Sequence, residues 1–171
     1  MRRITTHGSG PTLLAADAIQ SLFISEYLCP TGEIWLLSPW ISDIPVIDNS
    51  AGAFSALFPT RGTGIIKLTD AIIGLAGQGI PVHVVTRTDP RNRSVIDKLR
   101  EAATAGGLPI KTIYNDNLHE KALLTSRFLL HGSMNFTHFG REVNEEALVL
   151  DSSSDSVARA HLDYRERFDA S

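Results

Sequence analysis

The chain has 171 residues, 43% hydrophobic and 20% charged, with a formal net charge of −3 at pH 7. That length is read as one domain, residues 1–171, able to bury a core without staples, and Cys29, the sole cysteine, excludes an intrachain disulfide and a cysteine-based zinc site. The mild acidity argues against diffuse attraction to nucleic acid, no stretch approaches the ~20 apolar residues of a membrane span, and residues 1–23 do not read as a signal peptide, so a cytoplasmic protein is expected.

Apolar residues at helical spacing (Leu13, Leu14, Ile19, Leu22, Phe23) predict a helix over residues 12–28, ending before Pro30. Residues 33–37, with Ile34 and Trp35 between Gly32 and Pro39, read as a buried strand. Residues 40–64 are irregular, rich in Pro and Gly, and so long a connection marks a functional loop. A helix is predicted over 67–78 and a strand over 81–86; a second amphipathic helix over 93–105 stops at Gly106-Gly107. Strands follow at 109–114, 118–124, 128–131 and 146–150, with residues 125–127 as a turn, and a helix over 154–168 closes the chain. Strands alternating with helices predict an α/β layered domain, and the adjacent strand pair near residue 125 predicts a mixed sheet. No dinucleotide fingerprint, P-loop or serine-hydrolase elbow is present in the sequence.

The chemistry gathers between residues 119 and 146. Residues two apart on a strand share a face, so His119 and Lys121 are expected to point the same way, as are Ser133 and Asn135 beyond Gly132. A hairpin-like pairing would set the two sets side by side at one edge of the sheet. A neutral imidazole can attack phosphorus and divide one difficult displacement into two easier ones. Lys121, Asn135 and Ser133 would then hold the non-bridging oxygens, and Glu146 could fix the tautomer of a histidine. Such a site calls for no metal and no cofactor.

This segment resembles the H-x-K … G-S-x-N … N-x-E signature of the phospholipase D superfamily: His119 and Lys121, then Gly132, Ser133 and Asn135, then Asn144 and Glu146, with GSMNFT close to the usual wording. IWLLSPWI and the strand at 81–86 are similar too, so the likeness covers most of the chain. The resemblance implies an α/β/α sandwich with a mixed, mostly parallel sheet. It makes His119 the nucleophile, with Lys121 and Asn135 gripping the phosphate and Ser133 and Glu146 in support. Ser126 stands where the family carries an aspartate, and the gap from the lysine to Gly-Ser is one residue short. Because the chain carries one copy of a motif whose chemistry uses two histidines, a homodimer is expected, with the two-fold axis between two His119 side chains. Small single-motif members resemble nucleases, which implies a metal-independent phosphodiesterase acting on nucleic acid, and a place in larger bacterial nucleic-acid processing or defence machinery.

Around this set, Trp40 either stacks on a base or is a buried rim aromatic. His138 sits at the cleft mouth or on the surface, and His131 contacts substrate or is a satisfied strand-end histidine. Arg87 and Arg91, within the run Arg87, Arg91, Arg93, Lys98 and Arg100, guide a polyanion or form a solvated helix start. Competing functions are a catalytically silent scaffold that binds nucleic acid or a protein, and a phospholipid hydrolase or transferase. The lipid reading draws on the apolar residues of 41–58 (Ile44, Val46, Ile47, Phe54, Leu57, Phe58) as an entry loop.

Overall fold

The computed structural model describes residues 2–6, 9–59, 61–137 and 146–168. Its centre is a seven-stranded sheet among these residues, formed by β1 (Arg2–Thr6), β2 (Ile34–Leu37), β5 (Val82–Thr86), β6 (Ile110–Tyr114), β7 (Ala122–Leu124), β8 (Leu129–Gly132) and β9 (Glu146–Asp151). The spatial order is β1-β9-β8-β7-β2-β5-β6. Strands β2, β5 and β6 pair in parallel, and the remaining pairings are antiparallel. Stepping across them, only β7 and β9 oppose β2, so the sheet is mixed and its strands mostly share one direction.

Helices cover both faces, giving the α/β/α sandwich that the sequence predicts. Alternate residues of each strand face opposite sides, and the burial follows that period. Ile34 and Leu36 of β2, Val82 and Val84 of β5 and Leu123 of β7 join one core with α1 (Ser9–Leu28), α2 (Leu68–Gly77) and α3 (Arg93–Gly106). Trp35, Leu37, Val85, Ala122 and Leu124 face the other way, into a second core closed by Val157, Tyr164 and Phe168 of α4 (Ser154–Phe168). Each large apolar side chain so buried is worth about 1.5–3 kcal/mol, and such burial outweighs local preference in fixing the layers. Helix α3 stops where expected: Gly107 takes φ 59°, the left-handed region open to glycine, and its N–H bonds Ala103 O.

Two expectations change. Residues 40–64 are not wholly irregular: β3 (Pro45–Asn49) pairs antiparallel with β4 (Gly64–Lys67) as a separate ribbon. Ile44, Val46, Ile47 and Phe58 are buried in the first core, with Phe54 and Leu57 packed against it. The apolar residues that suggested a lipid-entry loop are therefore scaffold. The strand expected over 118–124 begins only at Ala122. Ahead of it, side chains take the backbone acceptors: Arg87 Nε donates to Leu118 O at 2.7 Å, and Lys121 Nζ to His119 O at 2.8 Å.

Candidate active site at the strand ends

In open α/β sheets, ligands are held beyond the carboxyl ends of the parallel strands. Here the loops after β2 and β5, the segment before β7 and the residues after β8 meet at that end. Strand β7 runs against β8, with Ala122 opposite His131, so the approach to β7 lies beside the exit from β8. One bond closes the junction: Gly132 N–H donates to Lys121 O at 3.2 Å. The His119–Lys121 and Ser133–Asn135 segments are thus neighbours, as the hairpin argument predicted. They lie at the ends of interior strands and not at a sheet edge, since β7 sits between β8 and β2.

Outside the ladder, His119 and Glu120 still turn to different neighbours. The Glu120 carboxylate turns toward α4, where it accepts from Tyr164 Oη and from Arg167 at 3.0 Å. The His119 ring turns instead to Arg87, one of whose terminal nitrogens lies 3.0 Å from Nδ1 and 3.1 Å from Nε2. The two ring nitrogens flank Cε1, so an in-plane atom equally near both would collide with that carbon. That guanidinium nitrogen therefore lies out of the ring plane, over the imidazole face.

Arg87 is joined by two of the residues singled out beside it. Its guanidinium carbon lies 5.6 Å from the centre of the Trp40 ring, and that of Arg91 lies 4.7 Å from it, both within cation–π range. Asp89 ties the group together, accepting from Trp40 Nε1 at 3.1 Å and from Arg91 at 2.7 Å. The Arg91 side chain and its backbone N–H hold the Asp89 carboxyl far below the ordinary range. The other basic residues of that run disperse: Lys98 pairs with Asp43 and Asp70, and Arg100 donates to Thr112.

Ser133 lies against β9, its N–H donating to Ala147 O at 3.0 Å while Oγ accepts from Ala147 N–H at 3.0 Å. Asn135 has a buried side-chain oxygen with no hydrogen-bond partner among the described residues. Its neighbour Phe136 is fixed from both sides: its N–H donates to Ser38 Oγ, and its carbonyl accepts from Ser42 N–H at 2.8 Å. Glu146 opens β9 at this same end of the sheet, its side chain lying outside what is described. His138 and Asn144 also lie outside the described residues. His131 is half-buried, one residue before the end of β8 at Gly132. Among the described residues, no three His, Cys, Asp or Glu side chains come together to hold a metal ion.

Sequence reasoning missed Asn92. Fully buried, its amide donates to Pro39 O, Thr86 Oγ1 and Arg87 O, and its oxygen accepts from Ile41 N–H. It thereby fixes the backbone on both sides of Trp40 and at Arg87. The sequence offers no signal for this, since an Asn before a helix reads as an ordinary cap. Ser126 stands in the turn beyond the far end of β7 from His119, packed beside Gly32.

The family model described as "Cardiolipin synthase, PLD-like domain" matches residues 64–170. The chain belongs to this phospholipase D-like family. No curated protein matches it in sequence. Among solved structures, it resembles Nuc of Salmonella typhimurium, a phospholipase D family member, with TM-score 0.58 at 16% identity, covering 97% of this chain and 91% of that one. NucT of Helicobacter pylori is similar with TM-score 0.60 at 12% identity, over 96% and 94%. TrmBL2, an archaeal chromatin protein with a novel mode of DNA binding, gives 0.55 at 14% identity, over 98% of this chain and 52% of its own. These likenesses show the fold. No helix among the described residues is long and apolar enough to cross a membrane.

Proposed function

We propose that the protein is a metal-independent phosphodiesterase that cleaves nucleic acid through a phosphohistidine intermediate in a homodimeric site. The observation that carries this reading is the meeting of His119 and Lys121 with the Gly132–Asn135 segment through the Gly132–Lys121 bond, in a chain of the phospholipase D-like family. The in-plane lone pair of His119 attacks phosphorus, a P–N bond forms, and the P–O bond to the leaving nucleotide breaks. His119 of a second copy donates its proton to the leaving oxygen. That same imidazole then takes a proton from water, whose oxygen attacks phosphorus and breaks the P–N bond. Lys121, Arg87 and the Asn135 amide stand where charge develops on the non-bridging oxygens, and such donors matter most when fixed beforehand. Lys121 Nζ rests on the His119 carbonyl at 2.8 Å and exchanges it for the phosphate when substrate binds.

The position of Ser126 is compatible with activity. A residue at the far end of β7 touches no reacting atom, so the missing aspartate removes support and not a participant. A second reading, a silent scaffold binding nucleic acid, is favoured by that same serine and by the likeness to TrmBL2, whose structure concerns DNA binding. Incubation with DNA in excess EDTA separates the two. Cleavage is expected; intact DNA recovered from folded, dimeric protein would replace the enzyme with the scaffold.

A further inference from the structure

We propose that Arg87, Trp40 and Arg91 form a stacking subsite for unpaired nucleobases beside His119, so that the preferred substrate is single-stranded nucleic acid. The proposal rests on the phosphodiesterase reading for its substrate class and on separate geometry for the subsite. Flat groups cluster beside the nucleophile. One terminal nitrogen of Arg87 lies 3.0 and 3.1 Å from the two ring nitrogens of His119, and the guanidinium carbons of Arg87 and Arg91 lie 5.6 and 4.7 Å from the centre of the Trp40 ring. Guanidinium planes and aromatic faces are the surfaces on which unpaired bases stack, and every base can use them.

Each member is held in place before any ligand arrives. Arg87 is anchored by Nε on Leu118 O at 2.7 Å, Trp40 by Nε1 on Asp89, and Arg91 by two side-chain bonds to Asp89 at 3.0 and 2.7 Å. Asn92 fixes the backbone beneath them. A site ordered in advance loses little entropy when a strand binds. The outer end is open, since the Arg91 side chain is 67% exposed.

Charge decides between paired and unpaired substrates. Duplex DNA hides its base faces and offers phosphates, so its affinity comes from counterion release. Asp89 neutralises Arg91 at this subsite, and the chain as a whole carries −3. Arg87 is the one cation of the subsite not paired with Asp89, which is little for the many phosphates of a duplex, whereas stacking is insensitive to net charge. The subsite therefore favours single strands and binds them with a shallow dependence on salt.

The test is equilibrium binding of the whole protein to a phosphorothioate-linked oligo-dT and to a duplex of the same length, read by tryptophan fluorescence. The chain has two tryptophans; Trp35 is fully buried, so Trp40 reports contact. The single strand is expected to quench the signal and the duplex to do so only at far higher concentration. Trp40→Leu should weaken single-strand binding about tenfold or more, with Trp40→Phe restoring most of it. Arg91→Ala, at an exposed position, gives a second reading should Trp40→Leu fail to fold, and is expected to weaken binding severalfold. Equal or tighter duplex binding, or unchanged single-strand affinity in the folded variants, would overturn the subsite even if DNA is cleaved in EDTA. Single-strand binding with Trp40 quenching but no cleavage of unmodified DNA would uphold the subsite and overturn the phosphodiesterase.

Discussion

Replacing His119 with Asn is expected to reduce DNA cleavage by at least roughly a thousand-fold, because it removes the group proposed to form the covalent intermediate. The fold should survive. The ring's contacts are with Arg87, which remains anchored to Leu118 O, while the backbone carbonyl that holds Lys121 is unchanged. Thermal unfolding should therefore shift little while turnover vanishes. A variant that keeps a tenth or more of wild-type cleavage would remove His119 from the mechanism.

Gly132→Ala is expected to damage stability and activity together. A Cβ at Gly132 would lie 1.9 Å from Ala147 O and 2.9 Å from Ala147 C, both backbone atoms of β9. No side-chain rotation relieves that overlap, so β8 and β9 must part where Ser133 bonds Ala147. Overpacking of this kind costs about 3 kcal/mol, or roughly 6–12 °C in Tm for a chain of this size. Gly132 N–H also reaches Lys121 O, so the displacement separates the two halves of the candidate site. Gly77 is the control: a Cβ there meets nothing within 4 Å, and Gly77→Ala should leave activity intact and stability equal or slightly higher. Matching Tm values for the two variants would show that the β8–β9 approach is looser than described.

These effects mark what the residue string could and could not convey. Strands such as Ile34–Leu37 and Val82–Thr86 were legible because their apolar runs between Gly and Pro carry a two-sided core. β1 was not, because RRITT is a short, polar string that becomes a strand only through its register with β9, Arg2 against Leu150. The ribbon of β3 and β4 was hidden for the same reason: its pairing spans a loop whose Pro and Gly content reads as irregular. The His119–Lys121 and Gly132–Asn135 pieces were legible since period two and a short turn place them locally. Arg87 and Trp40 were named beside the site, but their contacts were not, since Arg87 and His119, 32 positions apart, and Trp40 and Asp89, 49 apart, meet only when β2, β5 and β7 align. The Asn92 hub and the remoteness of Ser126 needed the fold outright.

The central claim is a covalent bond between His119 and the phosphate, and its most direct test is capture of that bond. The P–N linkage of phosphohistidine survives alkali and hydrolyses in acid. Protein mixed with excess single-stranded DNA in EDTA, quenched in alkali within a turnover and mapped by mass spectrometry, should carry a nucleotidyl adduct on the peptide containing His119. The adduct should vanish on acid treatment and be absent from His119→Asn. Turnover with no adduct, or an adduct on any other residue, would contradict the account.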